Sequence, residues 1–304
     1  FDELMEEFVR DNEIPGAALA VAKDGRLVYA RGFGYADIEQ QQPVKPESLF
    51  RIASISKPLT AVATLQLIEQ NKLKLDDSVF DLLAHKAHLP KGRKLDPRLK
   101  DITIAHLMRH QGGWHRDKSI DPLFHSIEIA TSLGKQPPAS QDDIIRFMKG
   151  WPLDFEPGTR YAYSNLGYCL LGRIIERTTG RNYETYMRDS FLKPLGITRM
   201  RSGKTLQRAV NEVTYYPKGQ MVGIAVTGPN IGAKVPRPYG AWSIEAMDSL
   251  GGWLAAAPDL VRFGSAVDKF KQSKILSAQS IKTMLSRPKG HFGNDQKGKP
   301  DKVY

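Results

Sequence analysis

The sequence has a single cysteine, Cys169, in 304 residues, so no internal disulfide can form. It falls in Tyr168-Cys169-Leu170-Leu171, an apolar helical stretch where a thiol packs as a small hydrophobe. No apolar run approaches the ~18 residues of a membrane span, so no integral membrane segment is expected. No signal peptide is visible either: Phe1-Asp2-Glu3-Leu4 opens into a polar helix, and an exported chain would have lost its leader already or carry it outside this sequence. Acidic residues are in deficit, with 44 Lys and Arg against 33 Asp and Glu, a formal charge of +11. Hydrophobic residues at 41% and charged residues at 25% are globular values and exclude a disordered chain. There is no internal repeat, and the length suits two domains or one large one.

A basic chain invites nucleic acid or an anionic surface. Residues 86–118 hold nine Lys or Arg against three Asp, and residues 287–302 hold five against two. Neither stretch interleaves aromatics with its charges as a base-stacking surface does. Solvated basic loops are the expectation, and no nucleic-acid partner is expected.

Residues 2–11 predict a short helix with Leu4, Phe8 and Val9 on one face. Residues 16–23 and 26–34 predict two strands joined by Asp24-Gly25, a strong hairpin signal. Helical periodicity follows at 54–70, 101–110, 141–149, 165–179 and 182–193, then at 258–270 and 277–285. Residues 204–245 look irregular. Only the 16–34 hairpin is clearly available to build a sheet.

Six of the seven histidines fall between His85 and His125. His106 and His110 are four apart, a spacing that can put two ligands on one helix face. No Glu follows His106 and no third ligand is evident, so the zinc-protease pattern fails. Capping and packing are the expected roles, with no metal and no cofactor.

The chemistry concentrates at Ser54-Ile55-Ser56-Lys57. Ser-x-x-Lys on a helix puts both side chains on one face, where a lysine of lowered pKa can take the serine proton. The spacing occurs four times, at Ser54, Ser132, Ser190 and Ser286. Only Ser54 precedes a long apolar helix, with Pro58 in the first turn where proline is tolerated. Backbone N–H groups at a helix start can also stabilise an oxyanion. A second element is Tyr163-Ser164-Asn165, the one Tyr-x-Asn in the chain. A tyrosine beside a lysine can relay protons, and an asparagine amide can hold a substrate carbonyl or amide. Taken alone, the pair reads better as a loop hydroxyl and a helix cap.

With these residues the sequence resembles the serine β-lactamase and penicillin-binding-protein superfamily, in its class C β-lactamase-like branch. The resemblance runs through Ile14-Pro15-Gly16-Ala17, Gly32 to Asp37 and Phe50 to Thr60. It continues through Ile104 to Gly113, Phe155 to Asn165, and Leu250-Gly251-Gly252-Trp253 with Asp259 to Phe263. It implies an α/β fold of the α+β type: an antiparallel sheet flanked by helices, plus an all-helical domain, β-lactamase/transpeptidase-like. The implied division is 1–52 with 240–304 for the α/β domain and 53–239 for the mainly helical one. Ser54 corresponds to the acylated nucleophile, Lys57 to its proton partner, Tyr163 to the general base and Asn165 to the substrate amide contact. The implied activity is a serine hydrolase working through an acyl-enzyme on β-lactam, D-Ala peptide or ester substrates. The alternative is a penicillin-binding or assembly protein of the same fold with little or no turnover. A periplasmic or secreted location follows from the resemblance.

Two departures stand out. His110-Gln111-Gly112-Gly113 replaces the usual His-Thr-Ser-Gly, in a segment expected to be structural. The family's third motif, Lys- or His-x-Gly on an inner strand, has no clear counterpart. Arg201-Ser202-Gly203 comes too early, and His291-Phe292-Gly293 reads as a loop. His291 is kept as a candidate for that motif. The expectation is a sheet left incomplete at the C-terminus, its last strands and third motif supplied by a downstream segment or a second chain. Class A enzymes want Ser-Asp-Asn in place of Tyr163-Ser164-Asn165. No Gly-x-Ser-x-Gly elbow is present, and Gly203-Lys204-Thr205 lacks the leading glycine of a phosphate loop, with Thr198 in its place. Trp114, Trp242 and Trp253 either wall a pocket or are buried.

Overall fold

The computed structural model describes residues 1–217, 219, 221–268, 273 and 275–286. Helix α1 (Asp2–Asp11) leads into β1 (Gly16–Lys23) and β2 (Arg26–Asp37). The strands are antiparallel in the register Gly16↔Gly34 to Lys23↔Arg26. Asp24 and Gly25 both take positive φ, 53° and 75°, as a type I′ turn demands. The expected apolar face of α1 is not covered: Leu4 and Phe8 are exposed. The helix is tied to β2 by polar contacts instead, Arg31 pairing with Asp2 and, at 3.1 Å, with Glu6.

Strands β3 (Gln42–Pro43) and β4 (Phe50–Arg51) precede the central helix α2 (Ser56–Glu69). Pro58 sits in its first turn, as expected. Ten of its fourteen residues are buried, so it is covered all round, as an interior helix must be. Then come α3 (Val79–Leu82), α4 (Ile104–Met108), α5 (Ser126–Ser132), α6 (Gln141–Lys149) and α7 (Asn165–Thr179). Leu59, Val62, Ala63 and Leu67 of α2 share one core with Leu170, Leu171 and Ile174 of α7. Cys169 is buried in it, and burial pushes its thiol up to about 12.

The helix expected over 182–193 is broken into α8 (Tyr183–Tyr186), a wide turn Met187–Leu192 and a 3-10 turn Lys193–Leu195. Pro194, which has no N–H to give a helix, accounts for the closing 3-10 turn. Strands β5 (Arg201–Ser202), β6 (Val222–Ile224), β7 (Lys234–Pro236) and β8 (Trp253–Ala255) follow, then α9 (Ala257–Asp268) and α10 (Ala278–Leu285).

The described residues carry more sheet than one hairpin. Strands run in the orders β1-β2-β3, β4-β8-β5 and β6-β7, all antiparallel. The additional strands are two or three residues long, too short to leave an alternating pattern in the sequence. Helix α9 packs across β1 and β2. The whole is a mixed helix and antiparallel-sheet fold of the β-lactamase/transpeptidase kind. No described helix is long and apolar enough to cross a membrane. His291 lies outside the described residues.

Candidate active site

Ser54 does not stand in α2 itself but in the 3-10 turn Ala53–Ile55 that feeds it. Ala53 is held at φ 45°, a left-handed conformation that costs a residue with a Cβ about 1 kcal/mol or more. The turn is fixed from outside: Ile52 N–H donates to Trp253 O at 3.0 Å, and Trp253 N–H reaches Ser56 Oγ at 3.4 Å. Strand β8 thereby sets where Ser54 points.

The structure brings Ser54, Lys57, Tyr163 and Asn165 together. Ser54 Oγ lies 2.7 Å from Tyr163 Oη and 3.1 Å from Lys57 Nζ. Lys57 Nζ donates to Asn165 Oδ1 and to Leu250 O, both at 2.8 Å. Lys57 is buried, and loss of water brings its ammonium down to about 7, with Asp121 pulling the other way and Arg116 adding to the fall. An amine that titrates near neutrality can exchange a proton with a hydroxyl at hydrogen-bond distance. The two carbonyl oxygens accept only. In the neutral amine both N–H bonds therefore go to them, and the lone pair is left facing Ser54.

Tyr163 and Asn165 straddle Ser164, whose side chain caps α7 by accepting from Gly167 N–H at 3.1 Å. This cap places Tyr163 just before the helix and Asn165 at its first position. His110 supports the loop from below. Its Nδ1 accepts from Ser164 N–H at 3.1 Å, and its ring lies 4.7 Å from that of Tyr163. Burial first, and the charge on Lys57 second, push the imidazole down to about 3, so it is a neutral packing group. Residues 110–113 accept from the 154–162 loop through His110 O, Gln111 O and Gly113 O. The departure at this segment is thus structural support for Tyr163. His106 closes a capping box with Thr103 on α4. The two histidines do the capping and packing expected of them.

Three contributors were not read from the sequence: Asp121, Arg116 and the carbonyl of Leu250. Asn165 Nδ2 donates to Asp121 Oδ2 at 2.8 Å, and Arg116 stands 3.9 Å from the same carboxylate. Arg116 also lies over the Tyr163 ring, 5.4 Å from its centre. The signal at Asp121 is an Asp-Pro step, which by itself marks only a turn.

A cavity of about 660 Å³ opens beside Ser54. Its polar wall includes Ser54, Lys57, Arg109, His110 and Tyr163, and its apolar wall includes Ile52, Pro58, Leu75, Met108 and Met284. Trp114 and Trp253 are buried. Trp242 lines a separate groove with Tyr215 and stacks edge-on against Phe124 at 6.3 Å. Arg201 and Ser202 are the short strand β5, paired with β8.

Comparison with known proteins places the fold. Protein Flp of Staphylococcus aureus (strain COL) is 29% identical over 215 residues, covering 71% of this chain but 40% of Flp. The chain thus spans well under half of that relative. The octameric penicillin-binding protein homologue from Pyrococcus abyssi superposes with a TM-score of 0.68 at 28% identity, over 96% of this chain and 61% of that one. EstCE1, a hydrolase with promiscuous acyltransferase activity, superposes with a TM-score of 0.67 at 26% identity, over 92% and 74%. The Beta-lactamase family model matches residues 1–300, and with that match over nearly every residue the chain belongs to the β-lactamase family of the penicillin-binding-protein superfamily.

Proposed function

We propose that the protein is a serine hydrolase acting through an acyl-enzyme on Ser54, with β-lactam, D-Ala peptide or ester substrates, in the class C-like manner. The observation that carries this reading is the pair of contacts on Ser54 Oγ, 2.7 Å to Tyr163 Oη and 3.1 Å to Lys57 Nζ. Ser54 Oγ attacks the substrate carbonyl carbon while its proton passes to the neutral Lys57 amine. Tyr163 then serves as the general base and acid on the leaving-group side, delivering a proton as the bond to the leaving group breaks. Water attacks the acyl-Ser54 ester with the Tyr163 phenolate taking its proton, and Lys57 returns its proton to Ser54 Oγ as the ester bond breaks. The second N–H of Asn165 Nδ2 is the contact for the substrate amide. Tyr163-Ser164-Asn165 in place of Ser-Asp-Asn favours the class C-like route.

The working division is an α/β domain from 1–52 and 240–304 and a mainly helical domain from 53–239, with the site at their junction. A periplasmic or secreted location fits the family.

Labelling with a fluorescent fluorophosphonate, followed by peptide mass mapping, tests the reading. An adduct on Ser54 that is lost in Ser54→Ala is expected. Labelling that survives in Ser54→Ala would sink the assignment. Turnover of nitrocefin, p-nitrophenyl butyrate and a D-Ala-D-Ala peptide then separates the substrate classes. The similarity to a penicillin-binding protein homologue favours one second reading, a stable adduct without turnover, and the same assay separates it.

A further inference from the structure

We infer that Asp121 is a positioning residue of this site: its carboxylate locks the Asn165 amide in the one orientation that offers Lys57 an acceptor, and so aims the Lys57 amine at Ser54. The inference rests on Ser54 and Lys57 acting as proposed above.

An asparagine amide has a donor end and an acceptor end, and only its surroundings decide which way it turns. Here Nδ2 donates to Asp121 Oδ2 at 2.8 Å while Oδ1 accepts from Lys57 Nζ at 2.8 Å. The flipped amide would set Oδ1 against the Asp121 carboxylate and Nδ2 against the Lys57 donors. Both contacts would be repulsive in a buried setting where such groups are strongly felt. Asp121 therefore fixes an acceptor on Lys57 without touching it. With that acceptor and Leu250 O both satisfied, the remaining direction on Nζ is the one toward Ser54 Oγ, 3.1 Å away. The lock also leaves the second Nδ2 hydrogen pointing away from Asp121.

Asp121 is itself held in place. Its side chain is 13% exposed, Arg116 stands 3.9 Å from Oδ2, and Oδ1 is buried with no hydrogen-bond partner among the described residues. The Lys57 ammonium faces Asp121 and Arg116 from the loop before α5. It also faces His110, the Tyr163 ring at 4.9 Å and the Tyr168 ring at 5.7 Å. Asp121 is the anion of this set, and its charge favours the protonated amine.

The test is the rate constant for fluorophosphonate modification of Ser54, measured across the pH range on wild type, Asp121→Asn and Asp121→Glu. In this reaction Oγ displaces fluoride at phosphorus and its proton leaves through Lys57. In D121N the amide can turn freely and the charge is gone. The plateau rate should fall roughly 10- to 100-fold, and the acid limb should move to lower pH by about half a unit or more. In D121E the charge remains, so the limb should stay near its wild-type position while the rate is lowered. A D121N rate and limb equal to wild type would overturn the inference. So would a slower D121N with an unmoved limb, which is the signature of a merely structural role. If D121N does not melt cooperatively, D121E carries the test: a displaced limb or an unchanged rate in D121E overturns the inference. Absence of an adduct on Ser54 in wild type is a different result, and it counts against the proposed function instead.

Discussion

The side chain of Lys57 and the backbone carbonyl of Leu250 meet at 2.8 Å, across 193 positions of sequence. This bond joins the start of α2 to the loop that runs into β8. The loop is held by a buried relay. Thr60 Oγ1 donates to Ser249 O and accepts from Tyr183 Oη, both at 2.6 Å, and Ser249 Oγ donates to Tyr168 O at 2.9 Å. Lys57 and Thr60 are one helical turn apart on the same face of α2. The face that carries the candidate proton acceptor is therefore also the face that fixes the loop opposite it.

The first prediction concerns Lys57 and pH. Burial lowers this amine from its ordinary 10.5 to about 7, so acylation of Ser54 should rise through an acid limb with its midpoint near pH 7. The same shift bears on stability. Between those two values the unfolded chain holds a proton that the folded chain does not. Wild type therefore loses stability as pH falls from 10.5 toward 7, and below 7 the loss is complete. The integrated effect is roughly 4–5 kcal/mol at ~1.4 kcal/mol per pH unit. Lys57→Met removes this dependence. It also leaves Asn165 Oδ1 and Leu250 O unpaired, a penalty of about 1–3 kcal/mol each that does not vary with pH. Denaturant melts should show the stability of K57M relative to wild type improving as pH falls from 10.5 to 7, with no labelling of Ser54. A difference that stays flat over that range would refute the neutral-amine description.

A second prediction comes from His110, the ring beneath Tyr163. Its Nδ1 accepts from the half-buried Ser164 N–H, and its backbone sits at φ 56°, where a bulky residue is strained. His110→Phe should keep the ring packing but orphan that N–H, at a cost of about 1–3 kcal/mol. The folded imidazole is held down to about 3 against an ordinary 6.5. Wild type therefore has its full stability above 6.5 and loses it as pH falls toward 3, while H110F does not titrate there. The stability gap between the two should be widest at neutral pH and narrow in acid. Urea unfolding at several pH values measures it, and a gap that widens in acid would contradict a neutral buried histidine.

Local chemistry is what the sequence displays. Helices 141–149 and 165–179 are legible to the residue because Ser140 and Ser164 cap their starts and Gly180 ends the second in a left-handed turn at φ 67°. Ser54 with Lys57, and Tyr163 with Asn165, are legible as two short motifs, and the structure joins them by hydrogen bonds. Asp121 and Leu250 are not legible. One acts on Asn165 from 44 positions away and the other through a backbone carbonyl, and neither leaves a side-chain pattern near its target. Strands of two or three residues are equally silent, because pairing such as that of β4 and β5 with β8 is decided by tertiary contact. The exposed face of α1 shows the converse: a correct helical period whose apolar stripe is not matched by a cover among the described residues.

The third prediction tests the relay that holds Leu250. Gly172 lies in the middle of α7, where alanine is ordinarily better by about 1 kcal/mol. Here a Cβ would stand 2.4 Å from Ser249 Oγ and 2.5 Å from Ser249 Cβ. Ser249 is fully buried and bonded at both Oγ and O, so it cannot step aside. Overpacking of this kind costs about 1–3 kcal/mol, and it outweighs the gain in helix propensity. Gly172→Ala should therefore lower the melting temperature by roughly 2–4 °C for each kcal/mol lost. It should also slow Ser54 labelling, because displacing Ser249 moves the Leu250 carbonyl that holds Lys57. Removing the obstructing side chain with Ser249→Gly in the G172A background should recover part of the melting temperature, though not the hydrogen bond to Tyr168. Differential scanning calorimetry on the three proteins decides it. A G172A variant that melts above wild type would show that the loop yields, and that its approach to α7 does not position Leu250.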